Sequence, residues 1–129
     1  MPAAQDLEVL VVDDQRAVRA LVRSCLQQMG IEKVAEAEDG FHALEMLSRS
    51  RRHLILSDLN MPNLDGLGLL RAVRQNPETA KIAFIMITSR ADTELVRQAV
   101  ALGVNNYIVK PFTMDSMRRK ITAVFGQLT

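Results

Sequence analysis

Apolar positions along the chain follow two alternating rhythms. The run "LEVLVV" (residues 7–12) is short and β-branched and reads as a strand. It gives way to Val18, Leu21, Val22, Cys25, Leu26 and Met29, an i, i+3, i+4, i+7 stripe that stops at Gly30 and predicts an amphipathic helix. The pair then recurs. "KVAEA" (33–37) precedes Phe41, Leu44 and Leu47 at helical spacing, and "LILS" (54–57) precedes "GLGLLRAVRQN" (66–76), ended by Pro77. "IAFIMIT" (82–88) precedes Leu95, Ala99 and Leu102, closed by Gly103, and "NYIVK" (106–110) precedes Met117, Ile121, Val124 and Leu128.

Five repetitions of strand then helix, with several strands apolar on both faces, predict a parallel sheet covered by helices on each side. The fold class is therefore three-layer α/β. No composition break, low-complexity tract or long linker interrupts the alternation, so one domain is expected over residues 1–129. A start at Met1 and a short tail favour a stand-alone protein.

Composition narrows the function classes. Sixteen Lys plus Arg against fifteen Asp plus Glu give a net charge of +1, so no global field points to nucleic acid or an anionic membrane. No apolar run approaches the roughly 18 residues of a spanning helix, and the N-terminus lacks a signal-peptide pattern; a cytoplasmic protein is expected. The single cysteine, Cys25, excludes an internal disulfide and sits in an apolar stripe as a small core residue.

Open α/β sheets place their sites at the carboxyl ends of the strands. The residues there are Asp13 and Asp14 after the first strand, Asp58 after the third, Thr88 after the fourth and Lys110 after the fifth. Each has a plain reading by itself: "DD" as a helix cap, Asp58 as a turn acid, Thr88 as another cap, "KP" as a strand end. Brought together, three carboxylates repel one another and call for a cation. Oxygen-only donors, few in number and with room for a phosphate oxygen, suit Mg²⁺ rather than a Ca²⁺ cage. Lys110 supplies a point charge and Thr88 a hydroxyl for phosphoryl oxygens. A carboxylate beside them is able to accept a phosphoryl group as an acyl phosphate, and Asp58, ending the central strand, is the expected nucleophile.

The motifs "VVDD" (11–14), "EAEDG" (36–40), "SDLNMPNLDG" (57–66), "MIT" (86–88) and "NYIVKPFT" (106–113), in that order, resemble the receiver domain of two-component response regulators, and in particular its single-domain chemotaxis members. The resemblance implies a flavodoxin-like, doubly wound five-stranded sheet in the order 2-1-3-4-5. It implies that Asp58 accepts a phosphoryl group from the phosphohistidine of a sensor histidine kinase. Mg²⁺ would be held by Asp14, Asp58 and the backbone carbonyl of Asn60, with Asp13 assisting through water. Thr88 and Lys110 would contact the phosphoryl oxygens, Tyr107 would swing inward as Thr88 moves, and the Lys110–Pro111 bond would be cis. Such a protein is a switch that catalyses only its own phosphorylation and dephosphorylation, and a monomer is expected.

This chain departs from the motor-binding members of enteric-type systems at two places. It carries Arg90 where they have an acid two residues past the threonine, so phosphoryl lifetime is not carried over, and Thr93 where the fourth helix often has a basic residue. Asn60 also bears on rate.

Val96 and Val100, off the Leu95, Ala99, Leu102 face, would form an output patch with Tyr107, or else pack against the fifth helix. The partner would be a flagellar motor switch protein or another downstream protein. A phosphate sink for a shared kinase is the alternative.

Two further readings are weaker. An aspartyl-phosphate phosphatase would want a second acid at position 60, and an FMN carrier would want a glycine- and hydroxyl-rich loop where "DDQRAV" stands. The run Arg118, Arg119, Lys120 reads as a solvated face before an acidic-partner or nucleotide site. His42 and His53 read as structural or exposed, and Met29, Met46, Met86 and Met117 as core filler.

Overall fold

The computed structural model describes residues 3–89 and 93–129. A single 3₁₀ turn, Ala4–Asp6, leads into five alternating pairs: β1 (Glu8–Val12), α1 (Arg16–Gln28), β2 (Lys33–Ala37), α2 (Gly40–Arg49), β3 (Leu54–Asp58), α3 (Gly66–Gln75), β4 (Ala83–Thr88), α4 (Thr93–Ala101), β5 (Asn106–Val109) and α5 (Met114–Phe125). Among the described residues the strands form one parallel sheet in the order β2-β1-β3-β4-β5, as the resemblance implies.

Burial explains why β3 and β4 lack polar alternation: every residue of both strands is buried. Their side chains feed two cores. On one face Val9, Val11, Leu54, Leu56, Ile85 and Ile87 meet Val22 and Leu26 of α1 and Met117 and Ile121 of α5. On the other, Leu10, Val12, Ile55, Phe84 and Met86 meet α2, α3 and α4 through Ala43, Leu47, Leu69, Leu70, Val73 and Ala99. Cys25 lies buried and free in the first core.

Helix starts follow capping chemistry in three cases. Asp39 accepts from the His42 N–H, Asp65 from the Gly68 N–H, and Thr113 forms a reciprocal capping box with Ser116. Gly30 stops the chain after α1 with φ +86°, a backbone state that glycine reaches without steric cost.

Three expectations need correction. Leu21 is 53% exposed and Phe41 58% exposed, so neither belongs to its helix's buried stripe. The buried face of α2 is instead Gly40, Ala43 and Leu47. Leu128 lies beyond the end of α5 and packs from the tail onto the first core.

Arg74 at the end of α3 fastens three segments at once. Its Nε and Nη2 donate to the Gly103 carbonyl at 3.0 and 2.9 Å, its Nη1 to Ala80 and Ile82 carbonyls at 3.0 and 2.6 Å, and Nη2 also to Asn105 Oδ1 at 3.0 Å. Asn105 in turn accepts from the Phe84 N–H of β4 at 2.7 Å. A lysine has one donor head and cannot reproduce this planar fork. Both Arg74→Ala and Arg74→Lys should therefore cost about 2 kcal/mol of stability, read as a lowered urea midpoint at unchanged slope. A lysine variant as stable as the native chain would show that the fork is dispensable.

Candidate acidic and phosphoryl-transfer site

Backbone pairing carries each candidate residue to the same edge of the sheet. The Asp13 N–H donates to the Ala37 carbonyl at 3.1 Å, extending the β1–β2 ladder by one rung. The Leu59 N–H donates to Ile87, fixing the end of β3 against β4, and the Lys110 N–H donates to the Thr88 carbonyl at 2.7 Å. That last bond ties the lysine to the threonine through the backbone. The Lys110–Pro111 peptide is cis, as expected.

Asp13, Asp14 and Asp58 each offer a carboxylate oxygen, and these oxygens lie within 4.8 Å of one another. Asp13 and Asp58 are buried, at 3% and 8% exposure, whereas Asp14 is exposed at the mouth. Lys110 Nζ reaches into the group, 3.1 Å from Asp58 Oδ1 and 3.4 Å from Asp13 Oδ2. Among the described residues, Lys110 thus meets two of the three acids.

Burial pushes the Asp58 carboxyl above its usual range; the hydrogen bond and charge of Lys110 pull it back, Asp13 raises it again and the Leu59 N–H lowers it. The net rise means that one ammonium does not fully compensate the site. Donor chemistry here is oxygen only, with an exposed side toward Asp14 and the loop residue Asn60, so the residues fit a hard divalent ion that keeps some of its waters.

The plain reading of Asp13 holds in part. Its Oδ1 accepts from the Gln15 N–H at 2.8 Å, as a capping acid would, but its Oδ2 faces Lys110. Asp58 and Thr88 are strand-terminal and buried, so neither is a turn acid or a helix cap.

Thr88 and Tyr107 both line a small apolar cavity of about 20 Å³, together with Met86, Leu95 and Val96. Tyr107 is half-buried, and Lys120 Nζ lies 5.1 Å from its ring centroid. Val96 is half-buried beside it, while Val100 is 62% exposed. Arg90 lies outside the described residues. Thr93 is the exposed first residue of α4. Of the basic run, Arg119 pairs with Asp115 at 3.2 Å, Lys120 covers Tyr107 and Arg118 is exposed. His42 and His53 are both structural, each accepting through Nδ1 from a backbone N–H, of Glu38 and Glu8.

Arg19 was not singled out by sequence. Its Nη1 donates to the Asp13 carbonyl at 2.6 Å and its Nε to Glu36 at 2.9 Å, with Arg23 on the other oxygen of Glu36. Burial raises the Glu36 carboxyl, but Arg23 and Arg19 together outweigh it and hold the group below its ordinary range. The arrangement braces the backbone of a buried site acid from α1 and β2. The acid at position 36 within "EAEDG", on the strand beside Asp13, is the only trace of it in the sequence.

Comparison with known proteins agrees with this geometry. The response regulator receiver domain family matches residues 9–122. A probable chemotaxis protein CheY of Rhizobium etli is 44% identical over 128 residues, covering 99% of each chain. Chemotaxis protein CheY-3 of Vibrio cholerae is 36% identical over 124 residues, covering 96% of this chain and 95% of the other. Among solved structures, CheY4 of Vibrio cholerae superposes with a TM-score of 0.86 at 32% identity, over 92% of this chain and 98% of that one. The receiver domain of a sensor histidine kinase from Pseudomonas aeruginosa, solved with a magnesium ion coordinated in its active-site cleft, gives 0.84 at 26% identity, over 94% and 98%. The chain belongs to the response regulator receiver domain family.

Proposed function

We propose that this protein is a chemotaxis-type response regulator working as a single receiver unit, in which Asp58 accepts a phosphoryl group from a histidine kinase. The observation that carries the reading is the contact of Lys110 Nζ with Asp58 at 3.1 Å inside a group of three close carboxylates. Asp14, Asp58 and the Asn60 carbonyl would hold Mg²⁺, with Asp13 behind them, and the ion would neutralise charge on the incoming phosphoryl group.

The protein's own groups do the rest. The buried end of β3 holds Asp58 rigidly for in-line attack, and Lys110 meets the phosphoryl oxygens as their charge develops. The Thr88 hydroxyl donates to one of those oxygens. Drawn toward the phosphoryl group, Thr88 leaves its side of the small cavity, and Tyr107 follows into the space. The face around Tyr107, Val96 and Val100 then changes shape, and the exposure of Val100 favours an output surface there over a purely buried packing role.

Incubation with acetyl phosphate should give one phosphoryl group per chain, labile to hydroxylamine and dependent on Mg²⁺. Absence of label at saturating donor and metal sinks the reading. Capture experiments with and without beryllofluoride then separate output from sink. A flagellar motor switch component retained only with beryllofluoride marks an output protein, and no fluoride-dependent partner marks a phosphate sink.

A further inference from the structure

The edge of the sheet opposite the acids carries a second, basic cleft. It has a volume of about 520 Å³, lies at the N-terminal ends of β3 and β4, and is lined by Arg51, Arg52, His53, Glu78, Lys81 and Phe125. This volume lies within the ~300–1,000 Å³ usual for small-molecule sites. β3 and β4 carry Asp58 and Thr88 at their far ends, so the cleft is a strand's length, roughly 17–20 Å, from the acids.

Charge in the cleft is unbalanced. Three cations face one acid in a chain whose net charge is +1, and none of Arg51, Arg52 and Lys81 forms an ion pair among the described residues. Arg49, next along, is already engaged by Glu45 at 2.8 Å. Arg52 adds an independent sign: its Nε is buried with no hydrogen-bond partner, the single such side-chain atom among the described residues. A buried charged donor left unmade is costly, and Arg74, by contrast, has every N–H engaged. His53 accepts through Nδ1 from the Glu8 N–H, which leaves its Nε2–H as one more donor. Ile82 and Phe125 supply an apolar wall.

We propose that this cleft binds a phosphorylated small molecule of nucleotide size. Its phosphates would engage the forks of Arg51 and Arg52 and the ammonium of Lys81, and its apolar part would lie against Ile82 and Phe125. Glu78 opposes the polyanion and sets an upper limit on affinity. Because the site is remote from Asp58, it needs neither Mg²⁺ nor the phosphoryl-acceptor chemistry.

The test is a ¹⁵N NMR titration of the full chain with ADP and with inorganic pyrophosphate, in EDTA so that the acidic edge holds no metal. Saturable shifts confined to residues 51–53, 77–83 and 125 are expected, with ADP binding more tightly than pyrophosphate. Arg51→Ala and Arg52→Gln should each weaken ADP about tenfold. Glu78→Gln should tighten it about two- to fivefold, and Asp58→Asn should leave it unchanged. Several results overturn the proposal: no saturable shift with either probe, shifts scattered over all basic residues and erased by moderate salt, or equal affinity for the two probes. Tighter binding of a poly-glutamate peptide than of ADP also overturns it and makes the cleft a protein-docking site.

Discussion

Asp58→Asn should lower phosphoryl uptake from acetyl phosphate at least about 100-fold, because an amide in place of the carboxylate removes the nucleophile while leaving the other site groups in position. Intact mass after a saturating incubation with donor and Mg²⁺ reads the loss directly. Label retained at undiminished yield, on Asp13 or Asp14, would show that the acceptor has been misassigned. The same variant carries a second, opposite signature. The Asp58 carboxyl is raised in the fold, chiefly by burial, so the native state holds its proton more tightly than the unfolded chain does. Below the unfolded value both states are protonated and nothing is lost; as pH rises through the folded value, the metal-free protein loses stability as Asp58 ionises. The amide of the variant has no such titration. At neutral pH in EDTA the variant should melt above the native protein, and added Mg²⁺ should narrow or reverse the gap by stabilising the native protein more strongly. A variant that loses both stability and label would mean that Lys110 needs the Asp58 charge more than the acid needs relief from its neighbours.

Much of this site was legible in the sequence, and the reason is topological. A parallel sheet aligns the ends of its strands, so Asp13, Asp58, Thr88 and Lys110 needed only five correctly phased strands to be brought together. β3 and β4 announce themselves because both faces are buried and no polar alternation breaks the run. Helix faces are harder. Leu21 and Phe41 fit an apolar period, yet each lies about 100° around the helix from a residue that is buried, Val22 and Gly40. In α2 the packed face uses Gly40 and Ala43, whose small side chains give little hydrophobic signal. A Cβ on Gly40 would lie 2.7 Å from the Leu64 carbonyl, so closeness rather than hydrophobicity dictates that residue. The bracing arginines were invisible for another reason. Arg74 bonds chiefly to the backbone carbonyls of Ala80, Ile82 and Gly103, the last of them 29 residues away, and Arg19 bonds to that of Asp13. Bonds to main-chain oxygen constrain only the donor, so the partner's identity leaves no mark in the sequence.

The largest structural effect is expected at Gly66, the first residue of α3. Helix propensity alone favours Gly66→Ala by up to about 1 kcal/mol. Space argues the other way. An added Cβ would run into the Asp58 carbonyl oxygen and would sit 2.7 Å from Met86 Sδ and 3.0 Å from Leu59 Cα. None of these has room to give. Met86 is buried in the core, and the carbonyl belongs to β3, the middle strand, clamped by β1 and β4. The helix cannot retreat without breaking the Gly66 N–H bond to the Leu59 carbonyl at 2.9 Å. Overpacking should therefore win, with a net loss of about 2–4 kcal/mol in urea unfolding. Because the displaced atom is the carbonyl of Asp58, the proposed acceptor, phosphoryl uptake should fall in the fraction that still folds. Gly68 supplies the control: there the nearest atoms are Leu64 Cδ1 at 2.5 Å and Cγ at 3.3 Å, the far end of a half-buried side chain rather than backbone. Gly68→Ala should be neutral or slightly stabilising. If the two alanine variants behave alike, the wall between α3 and the acceptor strand is softer than its close packing implies, and Asp58 is held by β3 alone.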